Sequence, residues 1–91
     1  MKKYFETNKE ILDLYTNALT KAHAKNHPEV IELRHLFKEL ERNIDDEEQF
    51  LKTLDTINFS TNNFKVPEDV CDTYKKTYQM LEQLYKKGEN K

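Results

Sequence analysis

Apolar side chains recur along this chain at intervals of three and four, and no stretch sustains an every-second-residue alternation. That spacing lines apolar groups along one side of a helix, which turns 100° per residue. Between Thr7 and Lys25, the residues Leu14, Ala18, Ile11, Ala22, Tyr15, Leu19 and Leu12 fall on one broad face. Thr7 and Glu10 form a T-x-x-E pair that would cap this helix, predicted over residues 7–25. Tyr4 and Phe5 would extend it backward or fold over its end. Val30, Leu33, Phe37, Leu40 and Ile44 repeat at 3, 4, 3 and 4, with Leu36 beside them, which predicts a helix over 28–43 opened by Pro28. Ile31 lies off that stripe, close to Arg34 and Lys38, and is expected at the surface. A third helix, over 46–58, has the narrower stripe Phe50, Leu51, Leu54 and Ile57 behind an Asp45–Glu48 pair.

The stretch 67–87 has the best-marked ends. Pro67 suits a first helical position, and Glu68 and Asp69 suit the positive end of the helix dipole. Lys86 and Lys87 complement the other end, and Gly88, the one glycine of the chain, stands where a left-handed cap would need it. Leu84, Val70 and Leu81 centre the apolar arc, with Cys71 at its rim. Tyr74 is expected in the core wall with its hydroxyl reaching the surface or a partner, and Tyr78 and Tyr85 nearer the polar border beside Lys75 and Lys86. Phe59 and Phe64, in a turn-like stretch rich in Ser, Thr and Asn, are expected to plug one end, and residues 89–91 to fray. Four amphipathic helices on short links predict one all-α domain over 1–91: an antiparallel up-down-up-down four-helix bundle.

Charge narrows the function. Acidic and basic residues nearly balance, at a formal net charge of −2, which argues against duplex nucleic acid as a partner. The charges are unevenly placed, however. Residues 39–55 hold seven acids against Arg42 and Lys52, whereas the chain from Asp72 onward holds five lysines against three acids. Lys2 and Lys3 lead into a charged segment with no apolar run, and no stretch approaches the ~20 apolar residues that span a bilayer. A cytoplasmic protein is expected, and a monomer.

Candidate chemistry is sparse. Glu32 and His35 have the Glu-x-x-His spacing of di-iron bundles, but those sites need two such motifs and two further glutamates, and here the pair should face water. His23 and His27 are four apart, but Pro28 follows His27 directly, which puts His27 in the turn with its ring direction unfixed, and no adjacent cysteine or carboxylate completes a metal-ligand set. Cys71, the single cysteine, has no histidine near it in sequence, and three neighbouring acids oppose thiolate formation. One glycine, at position 88, leaves no room for a phosphate loop or a nucleophile elbow. The segment ELRHLFKELERNID is similar to the first helix of small chorismate mutases. That active site needs several converging arginines, and the chain has Arg34 and Arg42. The expectation is a binding protein with no enzymatic activity, cofactor or metal.

EILDLYTNAL, HPEVIELRHLFKEL, FLKTLDTINF and VPEDVCDTYKKTYQMLEQLY together resemble the immunity proteins of pediocin-like (class IIa) bacteriocins, the enterocin A immunity family. The resemblance covers residues 9–87 and implies an antiparallel four-helix bundle. It also implies a function: protecting the producing cell by acting from the cytoplasmic side on the mannose phosphotransferase permease that the peptide has engaged. In that family the C-terminal half largely sets which bacteriocin is countered. The expected partner-binding residues are therefore Tyr78, Tyr85, Lys75 and Lys86 of the last helix and Phe64 and Lys65 before it, with peripheral contact at the inner membrane face. A small helical interaction or regulatory module, dimerising through a stripe such as Ile31, is the alternative.

Overall fold

The computed structural model describes residues 1–89. Four α-helices run in chain order: α1 (Lys2–His23), α2 (Glu29–Arg42), α3 (Glu47–Ser60) and α4 (Asp72–Glu89). A helix as long as α1, 22 residues, spans about 33 Å. That matches the 34 Å long axis of the molecule, so the helices run along it. Each helix packs on its neighbours in sequence, and α4 returns to α1. Directions alternate. Lys2 at the start of α1 meets Asp45 beyond the end of α2, and Gly88 at the end of α4 meets Leu51 near the start of α3. The chain is an all-α, antiparallel four-helix bundle, as its periodicity predicts.

The core explains where the helices begin. α1 starts at Lys2, not at the Thr7–Glu10 pair, because Phe5 is drawn inside. Its ring stands 5.8 Å from Phe37 of α2 and edge-on to Phe50 of α3 at 5.3 Å. A capping side chain contributes ~1 kcal/mol. Burying a phenylalanine contributes roughly 1.5–3 kcal/mol, so packing wins over the cap. The broad apolar arc of α1 is also divided. Phe5, Leu12, Thr16 and Leu19 line the core, whereas Ile11, Leu14, Ala18 and Ala22 are exposed. Thr16 is tolerated inside because its hydroxyl donates to the Leu12 carbonyl at 2.8 Å.

Asp13 sets that rotation. Its carboxylate accepts from Arg34 at 2.6 Å and from Lys38 at 2.9 Å, both on α2. The Lys38 and Arg34 hydrogen bonds hold the Asp13 carboxyl below the usual range. Arg34 also donates to the Thr16 hydroxyl at 2.9 Å, tying α1 to α2 along one line. On α2 itself, Val30, Leu33, Leu36, Phe37 and Leu40 are all buried, and Ile31 is exposed.

Three further boundaries differ from expectation. α3 is capped by Asp46, whose side chain accepts from the Gln49 N–H, while Asp45 is held by Lys2 instead. α3 runs on to Ser60 and carries Phe59 outward, 87% exposed, so Phe59 plugs nothing. α4 begins at Asp72 rather than Pro67. Its first backbone bond runs from the Lys75 N–H to the Cys71 carbonyl. Residues 65–71 instead cross the end of the bundle, where Val70 packs on the core and Asp69 reaches His27 at 3.0 Å. Gly88 is no cap either. It lies within α4, where a Cβ would stand 3.0 Å from both Leu51 Cδ2 and Met1 Sδ, so its use is close helix approach. Of the residues expected to fray, Glu89 is instead the last of α4, and residues 90 and 91 lie outside the described residues.

Candidate functional site

The turn after α3 shapes the C-terminal half. Asn62, Asn63 and Phe64 take left-handed backbone in succession, with φ of 51°, 61° and 62°. Asparagine tolerates this region, but a phenylalanine there costs roughly 1–2 kcal/mol. Burial of the Phe64 ring offsets that cost; it stands 5.6 Å from Tyr85. The turn is also bonded throughout: Asn63 N–H donates to the Asn58 carbonyl, Phe64 N–H to the Thr61 hydroxyl, and Lys65 N–H to the Thr61 carbonyl. These bonds and the buried Phe64 ring fix the backbone that leads into exposed Lys65.

The six residues expected to meet a partner separate into two sets. Lys65, Lys75 and Lys86 are exposed, and Lys86 lies 3.9 Å from Glu82 one turn earlier. Phe64 and Tyr78 are buried and Tyr85 is half-buried, its hydroxyl accepting from the Asn58 amide at 3.5 Å. Tyr78 does not sit at a polar border. It is 3% exposed, and its hydroxyl lies 3.1 Å from that of Tyr74. Burial first, and Glu29 after it, raises the Tyr78 hydroxyl above its ordinary value; burial raises Tyr74 further. Both tyrosines are neutral wall residues. The six residues thus divide into exposed lysines and buried or half-buried aromatic residues, not one mixed surface. Exposed lysines can meet carboxylates or phosphates of a partner, each at an ordering cost of roughly 0.5–1.5 kcal/mol.

A second cluster closes the same end of the bundle. In an up-down bundle the end of α1 and the starts of α2 and α4 must share one end, which brings His23, His27 and Cys71 together. His23 Nε2 is 3.2 Å from the Cys71 sulfur, so the cysteine has a histidine neighbour that its sequence position hides. Cys71 is also exposed, although its place at the rim of the apolar arc points to a small packing residue. His27 bridges Glu29 at 2.9 Å and Asp69 at 3.0 Å. The Glu29 hydrogen bond, with lesser help from Asp69, raises the His27 pKa above 6.5. Both imidazoles stand edge-on to the Tyr74 ring, at 5.5 and 5.7 Å, and the Tyr74 hydroxyl donates to Glu29 at 3.4 Å.

Chemically this cluster is a clasp between α1, α2 and the segment before α4. Among the described residues no three His, Cys, Asp or Glu side chains are grouped to hold a metal ion. Glu32 and His35 are both exposed on α2. No described helix is long and apolar enough to cross a membrane. Comparison of the chain with protein-family models, with curated proteins and with solved structures finds no match.

Proposed function

We propose that this chain is an immunity protein against pediocin-like bacteriocins, acting at the inner membrane face on the mannose permease that such a peptide has engaged. The observation that carries the reading is the C-terminal edge of the bundle. Lys65, Lys75 and Lys86 project from a wall built by Phe64, Tyr74, Tyr78 and Tyr85, on the half of the chain where the resembled family sets specificity. The bonded turn at 62–64, whose backbone strain is offset by burial of Phe64, leads directly into exposed Lys65. Tyr78 and Phe64 serve this edge as positioning residues behind the lysines.

The reading is tested by co-isolation. The tagged chain is recovered from membranes of a sensitive strain with and without a class IIa peptide, and the permease is quantified. Permease retained with peptide and absent without it is the expected result. Recovery independent of the peptide, or none with it, rejects the proposal. Reversing the lysine row (Lys65→Glu, Lys75→Glu, Lys86→Glu) should lower recovery at least tenfold, since like-charge juxtaposition at an interface costs several kcal/mol.

A further inference from the structure

We infer that the outer face of α1, with the adjoining end of α4, is a docking surface for an anionic lipid headgroup layer. Half of the α1 apolar arc is uncovered. Leu14 is 65% and Ile11 45% exposed, and Ala18 and Ala22 continue the line. Steps of three and four keep these four side chains in register for about 16 Å along the helix. The line thus sets apolar side chains beside lysines on one outer face, the composition of an interfacial helix.

Toward the start of α1 the line passes Thr7 into a groove of about 300 Å³ between the two helices. Lys3, Tyr4, Asn8 and Lys87 line it. Lys87 Nζ is seated 5.4 Å from the centre of the Tyr4 ring, so this cation is held in place. Toward the other end, Lys21 and Lys25 are exposed beside the line. Lys76, three turns before Lys87, occupies the same outer column of α4. Glu10 borders the line and Asp72 is exposed one turn before Lys76 on α4; Asp13 faces α2, held by Arg34 and Lys38.

Charge selects the occupant. α1 and α4 carry eight lysines against six acids, whereas α2 and α3 carry seven acids against four basic residues, with Asp45 and Asp46 between them. A second copy docked symmetrically would set Lys3, Lys21 and Lys87 against a like-charged face. The single-helix stripe also falls far short of the roughly 800 Å² per partner that a stable dimer buries. An anionic headgroup layer satisfies both features. Phosphates meet the groove lysines and the flanking Lys21, while Leu14 and Ile11 reach the acyl boundary. The acids of α2 and α3 lie across the bundle, where screening over about 10 Å removes most of their opposition.

This surface deepens the immunity reading by supplying its membrane contact. Its test needs neither peptide nor permease, so the two fail separately. The full chain is sedimented with vesicles of phosphatidylcholine alone and of phosphatidylcholine with phosphatidylglycerol. Binding to the anionic vesicles alone, weakening as salt rises, is expected. Leu14→Asn should lower that partition about tenfold, from the loss of one inserted leucine. Lys87→Gln should lower it about fivefold, from one headgroup lysine. Phe59→Asn, on the far side of the bundle, should leave it unchanged. All three sites are exposed, and circular dichroism verifies that each variant keeps its helices. Equal binding to neutral vesicles, no binding, wild-type binding by Leu14→Asn, or an equal loss in Phe59→Asn overturns the assignment. So does a dimer in sedimentation velocity that Leu14→Asn dissolves, which would make a second copy the occupant.

Discussion

The two ends of the bundle are closed by opposite means. At one, side chains touch through carbon and sulfur: Gly88 lies against Leu51 and Met1, and Phe5 lies edge-on to Phe50. Its ion pair, Lys2 with Asp45 at 2.8 Å, is exposed on both sides. At the other end, polar groups clasp one another: His27 with Glu29 and Asp69, His23 with Cys71, and Tyr74 with Tyr78. Packing of the first kind is sensitive to volume and indifferent to pH. A clasp of the second kind tolerates small changes of shape but responds to protonation. The clasped end also carries the strained turn and Lys65, so the region assigned to partner recognition rests on the pH-sensitive half.

Substitutions can break this contrast. The largest effect is expected from Phe5→Ala, which should lower unfolding free energy in urea by about 3–5 kcal/mol, as emptied aromatic sites do. Gly88→Val should cost about 1–3 kcal/mol by overpacking against Leu51 and Met1. At the clasped end, Tyr74→Phe should cost about 1–2 kcal/mol, because it removes a hydroxyl bridge and leaves buried Tyr78 without that partner. Cys71→Ser, exposed, should stay within about 0.5 kcal/mol.

His27 sharpens the contrast through pH. Its folded pKa is raised above the ordinary 6.5, so the folded state binds the proton more tightly than the unfolded chain. The resulting stability is fully present below pH 6.5 and is lost as pH climbs through the raised folded value. His27→Gln should therefore lower the melting temperature most in mildly acidic buffer, with the difference shrinking toward alkaline pH. A difference that grows with pH would contradict the clasp. Lys2→Ala, at the packed end, should leave the melting temperature unchanged; a clear drop would mean that end too depends on charge.

α2 and α1 show what the chain's pattern reveals and what it hides. The α2 stripe is narrow, so one rotation buries it from Val30 through Leu40, and Ile44, beyond the helix end, is half-buried. The α1 arc is wider than two neighbouring helices can cover, and the half that is buried depends on which side α2 approaches. Asp13 holds that information, since Arg34 and Lys38 stand one turn apart on α2 to receive it. α4 failed for a related reason. Pro67 and its acids fit a helix start locally, but His27, forty-two residues away, takes Asp69 for the end of the bundle. The candidate site was legible in its lysines, which repel burial. Tyr78 was not, because its burial depends on the Tyr74 hydroxyl beside it.

The central claim is immunity, and growth tests it most directly. A sensitive strain expressing this chain and a matched empty-vector strain are challenged with a panel of class IIa peptides, and minimal inhibitory concentrations are compared. The account predicts a clear rise for at least one peptide, abolished by the Lys65, Lys75 and Lys86 reversals. Equal sensitivity of the two strains to every peptide in the panel would contradict it.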